Sequence, residues 1–322
     1  MITKETIYRK AFLEQKNSLK ERQLNYDMML SSVYASEPRL KEIENLLSKF
    51  GSQLALTALS GDKKRLTALK AQMGDLTKEK KAILKNAGIK PFKYNCSVCN
   101  DTGYVSGKIC DCIKKAAGKI MAEELSKNMP LKECRFDNFD LKYYPTKGNN
   151  DGENPKRRMT SIFKVCKEYA LNFSTENSKN LIFYGDAGLG KTHLTLSIVS
   201  AVIEKGFLPV YGSAENLFSI IENERFSGEN KGSYDAILNC DLLVIDDLGA
   251  EMVTSFTKSV LYNLINTRIL SGRPTIINTN LTIKKLNEKY DARIASRIIG
   301  HYEPFVFLGV DIRQQKALEK RV

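Results

Sequence analysis

The stretch LIFYGDAGLGKT, residues 181–192, decides the fold of this chain. Its first half is a short apolar run typical of a buried strand, and GDAGLGKT (185–192) satisfies the P-loop pattern G-x-x-x-x-G-K-[S/T]. The glycines permit a tight turn whose backbone N–H groups face phosphate oxygens. The helix that follows presents its positive N-terminal end to the same anion. The sequence therefore predicts a nucleotide site between a strand and a helix.

Two side chains of this loop are expected to carry most of the chemistry. Lys191 would reach the β- and γ-phosphates of ATP, and the Thr192 hydroxyl would bind Mg²⁺. The expected contact positions run through the loop into the first helical turn: Gly185, Asp186, Ala187, Gly188, Leu189, Gly190, Lys191, Thr192 and His193.

A second apolar run opens the stretch LLVIDDLGAE (242–251), where four apolar residues are followed directly by two aspartates. Asp246 suits the Mg²⁺ shell, and Asp247 is placed to orient and deprotonate a water molecule against the γ-phosphate. An ordinary buried strand with an acidic turn has the same pattern, but the P-loop upstream favours the catalytic interpretation. Glu251 is a second candidate base.

Polar side chains at three further points could complete the site. The run TIINTN ends in Asn278 and Asn280; we choose Asn280 as the residue that holds the attacking water or the γ-phosphate, although it could equally cap the next helix. Arg293 and Arg297 lie four apart, on one helical face, and could serve a neighbouring subunit's ATP. Arg313 follows the last predicted strand and could reach the γ-phosphate within its own chain. Each arginine could instead form a surface salt bridge.

Apolar runs and helical patterns alternate from about Met159 onward, which indicates βαβ units and a parallel sheet. The predicted strands are LIFYG (181–185), PVYG (209–212), LLVID (242–246), PTIINTN (274–280) and PFVFLG (304–309). The segment 143–155 is dense in turn-forming residues and is expected to be a loop.

The first 95 residues are expected to be helical. Apolar residues recur at three- and four-residue steps from Leu40 to Leu54 and again from Leu66 to Ile83, with a break at 60–62. This spacing predicts a helical hairpin or short coiled coil, with Asp62 as the N-cap of its second arm. Such a narrow apolar seam favours docking onto a partner, although a small helical bundle without a partner has the same pattern.

Four cysteines lie between residues 96 and 112: Cys96, Cys99, Cys110 and Cys112. The spacing CxxC-x10-CxC suits a tetrahedral site of four thiolates, which favours structural zinc. A redox pair, an iron–sulfur cluster or an unliganded group are the alternatives, and Cys134 could replace one ligand.

The composition is that of a soluble globular protein. In addition, no apolar run approaches the roughly 18 residues that span a bilayer. Nothing in the N-terminal stretch MITKETIYRK resembles a signal peptide, so we expect a cytoplasmic protein without lasting disulfides. The net charge is +13. This surplus favours contact with polyanions such as nucleic acid, although a lysine-rich soluble protein would share it.

Taken in order, GDAGLGKTHL, LLVIDDLGAE, NTNL and RIASRIIG…GVDIR resemble the bacterial DnaC/DnaI/IstB group of AAA+ ATPases. The resemblance covers about residues 134–322 and is nearest to the replicative-helicase loaders. It implies a P-loop parallel sheet with flanking helices and an ATPase that works as an oligomer. It also implies that Asn280 is the sensor-1 residue, Arg297 the arginine finger acting in trans and Arg313 the sensor-2 arginine. Asp247 stands where many AAA+ proteins have Glu, which predicts slow hydrolysis.

The same resemblance implies that the segment 214–237 faces single-stranded DNA. Aromatic and cationic side chains there suit sequence-tolerant binding, and the candidates are Phe218, Arg225, Phe226 and Lys231. The same segment could also be a plain surface helix and loop whose aromatic side chains pack inward. Loaders of this group also carry a metal-binding segment before the ATPase domain, in agreement with the cysteines.

These interpretations divide the chain into a helical docking region (1–92), a zinc-binding segment with a connecting helix (93–133) and the ATPase domain (134–322). The expected function is ATP-dependent loading of the replicative DNA helicase onto single-stranded DNA, with ATP, Mg²⁺ and Zn²⁺ bound. The alternatives are a transposition helper ATPase and an element-encoded regulator that binds the helicase without loading it.

Overall fold

The computed structural model describes residues 3–127, 129–147, 152–227 and 232–319. The chain forms two compact units, one of residues 13–107 and the other of residues 1–12 together with 108–322. Helices account for most of the first unit, and a parallel sheet with helices on both faces forms the second.

The N-terminal part of the chain is helical, as predicted. It contains α1 (Lys4–Ser36), α2 (Pro38–Ser60) and α3 (Lys63–Asn86). Gly61 turns the chain between α2 and α3 with a left-handed φ of 74°, and the Asp62 carboxylate then caps α3 by accepting the Arg65 N–H at 3.0 Å. Leu40 and Ile43 of α2 are fully buried. The hairpin prediction is therefore confirmed for α2 and α3, while α1 is a separate long helix.

A short hairpin, β1 (Tyr104–Val105) and β2 (Lys108–Ile109), leads into α4 (Asp111–Ser126). The turns around it need left-handed backbone at Asn100, Asp101 and Ser106, where φ is between 48° and 59°. Side chains such as Asn and Asp tolerate this conformation better than most others do.

The second unit carries a five-stranded sheet and most of the remaining helices. Its elements are α5 (Pro155–Leu171), β3 (Asn180–Tyr184), α6 (Lys191–Glu204), β4 (Pro209–Ser213), α7 (Ala214–Ser227), α8 (Ser233–Asn239), β5 (Leu242–Leu248), α9 (Ser255–Leu270), β6 (Thr275–Thr279), α10 (Ile283–Lys289), α11 (Ala292–His301), β7 (Tyr302–Val306) and α12 (Ile312–Glu319). Two single 3₁₀ turns, Phe136–Asn138 and Leu141–Tyr143, precede α5. The five predicted strands are all present.

All five strands pair in parallel, in the order β4-β5-β6-β3-β7. Successive residues of a strand point to opposite faces of the sheet. On β5, Leu242 and Val244 join the core under α4, α5 and α6, whereas Leu243 and Ile245 join the core under α7, α9 and α11. Both faces are covered, which explains why the central strands are apolar throughout. The carboxyl ends of β3, β5 and β6 meet at one edge, where the polar site forms.

A buried arginine supports the core under α7, α9 and α11. The Arg268 side chain is 0% exposed, and its guanidinium donates to the carbonyl oxygens of Leu238 at 2.8 Å and Pro274 at 2.7 Å. It also donates to the Thr275 hydroxyl at 2.9 Å. A cation at the C-terminal end of α8 satisfies carbonyl groups that the helix leaves unpaired. No sequence pattern predicted this role.

Candidate active site and cysteine cluster

The P-loop lies between β3 and α6 and needs glycine at positions where a side chain would collide. Gly185 has a φ of 143°, and a β-carbon there would lie 2.5 Å from the Phe307 carbonyl oxygen. Gly188 has a φ of 76°, and its β-carbon would lie 2.2 Å from the Asp311 carboxylate. Both positions allow the loop to pass close to the segment after β7.

Lys191 is folded onto its own loop. Its ammonium group donates to the carbonyl oxygens of Gly185 and Asp186 and to Asn280 Oδ1, each at 2.7 Å. Burial lowers the pKa of Lys191, and the nearby carboxylates, Asp247 first, oppose part of this effect. The lysine is thus a positioned cation whose hydrogen bonds could pass to phosphate oxygens.

Asp246 is at the centre of a polar network on the α6 side of the sheet. The carboxylate is 4% exposed and accepts from the Thr192 hydroxyl at 3.1 Å and from Asn278 Nδ2 at 2.8 Å. It also accepts from the Tyr211 hydroxyl and from the Asp247 N–H. In the described part of the chain these donors are all neutral, so a bound divalent cation would compensate the buried charge. The oxygen ligands that Mg²⁺ prefers are therefore present.

Asp247 differs from its neighbour in both conformation and environment. Its φ is 51°, a left-handed value that turns its side chain into the cavity beside the P-loop. Burial raises the pKa of Asp247, the charge of Asp246 raises it further, and Lys191 and Arg313 oppose the rise. A carboxylate with a raised pKa beside a phosphate site has the properties of a general base.

A cavity of about 460 Å³ joins these groups. At its phosphate end it is lined by Ala187 to His193, Asp247, Asn280 and Arg313. At the other end it is lined by Pro130, Cys134, Asn138, Phe139, Asp140, Tyr143, Ile312 and Lys316. Aromatic and apolar groups there suit a nucleobase, and the His193 ring packs edge-on to Phe139, with ring centroids 5.3 Å apart. Burial lowers the pKa of His193.

Asn278, in β6, and Asn280, the residue after β6, take different positions. Asn280 lines the cavity and contacts Lys191. Asn278 is fully buried and bridges the Thr195 hydroxyl, at 2.9 Å, to Asp246. Glu251 does not line the cavity; its carboxylate accepts from the Gly249 N–H at 2.8 Å and from the Tyr290 hydroxyl. Glu251 therefore holds the turn after β5, and the geometry leaves it no role as a base.

The arginines separate into two groups. Arg313 is exposed and lines the cavity of its own chain. Arg297 does not line it; its Nε donates to Asn266 Oδ1 at 2.8 Å, and its guanidinium lies 4.4 Å from the centroid of the Tyr262 ring. Arg293 is 77% exposed in its side chain and lies 5.6 Å from the same ring.

The predicted DNA-facing segment is only partly available at the surface. Phe218 is 2% exposed and packs in the core under α7, so the expectation that its ring stacks on a base is wrong. Phe226 is 71% exposed, and the Arg225 guanidinium lies 5.8 Å from its ring centroid. The same guanidinium lies 5.7 Å from the ring of Phe256, which sequence reasoning did not identify. Lys231 lies outside the described residues.

The four clustered cysteines come together. The Sγ atoms of Cys96, Cys99, Cys110 and Cys112 lie within 4.8 Å of one another, and Cys134 is not part of the group. Asp101 orders the first knuckle, since its carboxylate accepts from the backbone N–H of Cys96 at 2.7 Å. The same carboxylate accepts from Arg22 at 2.6 Å. The predicted grouping of the four cysteines is therefore present, and their Sγ atoms could hold one metal ion.

No helix in the described ranges combines the length and the apolar character that crossing a bilayer requires.

Comparison with known proteins finds a family match within the second unit. Residues 160–302 match the family described as IstB-like ATP binding protein. The replicative helicase loader DnaC of Buchnera aphidicola subsp. Baizongia pistaciae is 28% identical over 169 residues, which are 51% of this chain and 63% of that protein. DnaC of Escherichia coli K12 is 27% identical over 167 residues, 51% of this chain and 62% of that protein. The match thus spans less than two thirds of these relatives.

A solved structure described as the DnaC helicase loader aligns with a TM-score of 0.47 and 22% identity. The alignment covers 55% of this chain and 98% of that chain.

Proposed function

We propose that this chain loads a replicative DNA helicase onto single-stranded DNA. The premise is that residues 160–302 are an IstB-like ATP-binding domain of the AAA+ group. One observation carries the ATPase part: Lys191, Thr192, Asp247 and Asn280 line a single cavity, and Asp246 contacts Thr192. The names of the matched relatives support the loading part.

Hydrolysis would use residues that already lie around one point. Lys191 would pass its hydrogen bonds from the loop carbonyls to the β- and γ-phosphates. Asp247 would orient a water molecule and accept its proton, while Asn280 would hold the water or the γ-phosphate. Arg313 would balance the charge that develops on the γ-phosphate.

Magnesium would be held by Thr192 and, directly or through water, by Asp246. When bound, it neutralises charge on the phosphates. The Asp246 carboxylate is oriented before any metal arrives, because Asn278 and Tyr211 already donate to it.

Arg297 would act on the ATP of a neighbouring subunit. In its own chain it lies away from the cavity, held by Asn266 and the Tyr262 ring. A guanidinium fixed on a helix face is already oriented for a second chain, so oligomer formation would complete the site. This arrangement makes hydrolysis dependent on assembly.

Single-stranded DNA would bind at Arg225 and Phe226, with Phe256 beside them. The exposed ring can stack on a base and the guanidinium can follow a phosphate, a combination that tolerates any sequence. We assign the helicase contact to the helical region 1–92, and structural zinc to the four cysteines of the segment 93–133.

The test is a loading assay with the full-length chain. The replicative helicase from the same organism is incubated with circular single-stranded DNA, ATP and this protein, and unwinding of an annealed strand is measured. ATP-dependent stimulation, lost in Lys191→Ala, supports loading. Binding of the helicase with inhibition of unwinding would instead support a regulator of the helicase.

A transposition helper is the second candidate, because the matching family is described as IstB-like. Such a protein would leave the helicase unaffected and stimulate a transposase on duplex DNA. Absence of any helicase contact, together with that stimulation, would replace the loader proposal.

A further inference from the structure

Tyr211 touches the candidate magnesium carboxylate from the neighbouring strand. β4 pairs with β5 so that Tyr211 lies opposite Val244 and Ser213 opposite Asp246. The Tyr211 ring packs against the core under α6, on the same face of the sheet as Val244, and its hydroxyl donates to Asp246 Oδ2. A tyrosine two residues before the end of β4 therefore reaches the end of β5.

The bonds of Asp246 leave few directions open. A carboxylate offers about four lone-pair sites. Tyr211 binds at Oδ2, while Asn278 Nδ2 and the Asp247 N–H bind Oδ1 at 2.8 and 3.0 Å. The Thr192 hydroxyl approaches Oδ2 at 3.1 Å. Of these four hydrogen bonds, the one from Thr192 is the longest, and it lies on the side where the metal is expected.

The Tyr211 hydroxyl has a clear role in this contact, because an ionised carboxylate can only accept a hydrogen bond and the hydroxyl donates it. Groups that hold a metal-binding carboxylate from behind typically change metal affinity by about 10- to 100-fold when they are removed.

We propose that Tyr211 is a positioning residue that fixes the Asp246 carboxylate and so sets the magnesium dependence of ATP binding. The inference rests on the proposed function, because it concerns the same ATP site. Neither the P-loop pattern nor the paired carboxylates point to Tyr211, whose role depends on which strand lies beside β5.

The experiment measures the dissociation constant of a fluorescent ATP analogue with excess magnesium chloride and with EDTA. It uses the full-length wild type, Tyr211→Phe and the matched control Tyr169→Phe. In the wild type the Tyr169 hydroxyl donates to the Lys179 carbonyl oxygen, so the control also loses one hydrogen bond. In Tyr211→Phe we expect the gain in affinity from magnesium to fall about tenfold. The affinity in EDTA should stay unchanged, and Tyr169→Phe should match the wild type.

A second readout reports the metal itself. Mn²⁺ is titrated by electron paramagnetic resonance in the presence of a non-hydrolysable ATP analogue, and Tyr211→Phe should bind it about tenfold more weakly. Phenylalanine keeps the packed ring, so the variant should fold, and its melting temperature checks this. If it does not fold, Thr195→Val tests the same carboxylate through Asn278, with a weaker magnesium effect expected.

A folded Tyr211→Phe with the wild-type magnesium effect and Mn²⁺ affinity overturns the inference, as does an unaffected Thr195→Val if that variant is needed. A wild type that binds the ATP analogue equally well with and without magnesium contradicts the proposed magnesium-dependent site itself. The two failures are therefore distinguishable.

Discussion

The ammonium group of Lys191 lies 2.7 Å from Oδ1 of Asn280, although 89 residues separate the two in the chain. The contact crosses from the start of α6 to the residue after β6, and it exists because β3 and β6 are neighbours in the sheet. It joins the group expected to hold the phosphates to the group expected to sense them.

Replacing Asn280 with alanine should separate binding from hydrolysis. Lys191 keeps two carbonyl partners, so the dissociation constant for ATP should change little. Loss of one polar group at the reacting phosphate should lower kcat by about a hundredfold. Lys191→Ala is the contrasting variant and should abolish ATP binding. Equal loss of binding in both variants would contradict separate roles.

Arg297 is predicted to act on the neighbouring subunit. Arg297→Ala should lower kcat by about a thousandfold. Mixing Arg297→Ala with Lys191→Ala should restore part of the activity, because a site with an intact P-loop then meets an intact Arg297. Arg293→Ala, on the same helix, is the control and should keep most activity. A mixture no more active than its parts would contradict action in trans.

The cysteine cluster is predicted to hold one zinc ion per chain. Elemental analysis of the purified protein should find it, and Cys99→Ser should lose it together with local structure. Cys134→Ser should keep its zinc, because Cys134 does not belong to the cluster. Folded wild-type protein without metal would rule out the zinc site.

Asp101 should tune this site without binding the metal. Asp101→Asn weakens the acceptor of the Cys96 N–H and removes the ion pair with Arg22. We expect zinc affinity, measured by competition with a chelator, to fall about tenfold. Asp75→Asn removes an exposed carboxylate and should leave the affinity unchanged.

Phe226 should contribute to binding of single-stranded DNA. Phe226→Ala should weaken the affinity about tenfold, in line with the loss of one stacked base. Leu270→Ala removes a similarly exposed apolar side chain at the far end of α9 and is the control. Fluorescence anisotropy with a labelled oligonucleotide measures both. Equal affinity of the two variants would argue against stacking at Phe226.

The sequence predicts a large part of this fold. All five strands and the helical hairpin are confirmed, and an IstB-like family match covers residues 160–302 of the stretch 134–322 in which the resemblance is expected. These features are local patterns, such as an apolar run before a glycine-rich loop, so each can be recognised within about a dozen residues. The P-loop residues themselves are predicted from a local pattern of the same kind.

The remaining features depend on which elements become neighbours. Tyr211 reaches Asp246 only because β4 lies beside β5, and the sequence of β4 alone does not say so. Arginine is a residue type that usually lies at the surface. Arg268 is nevertheless buried, because α8 and the start of β6 surround it with carbonyl groups. The resemblance predicts that Phe218 lies in a DNA-facing segment, but α7 turns its ring into the core.

The close spacing of the four cysteines also bears on how the protein is made. Zinc could bind as soon as residue 112 has left the ribosome, because all four thiols are then outside. By contrast, the P-loop strand must wait for its partner β7, which begins only at Tyr302. The metal-binding segment could therefore reach its final structure during translation before the ATPase domain that follows it.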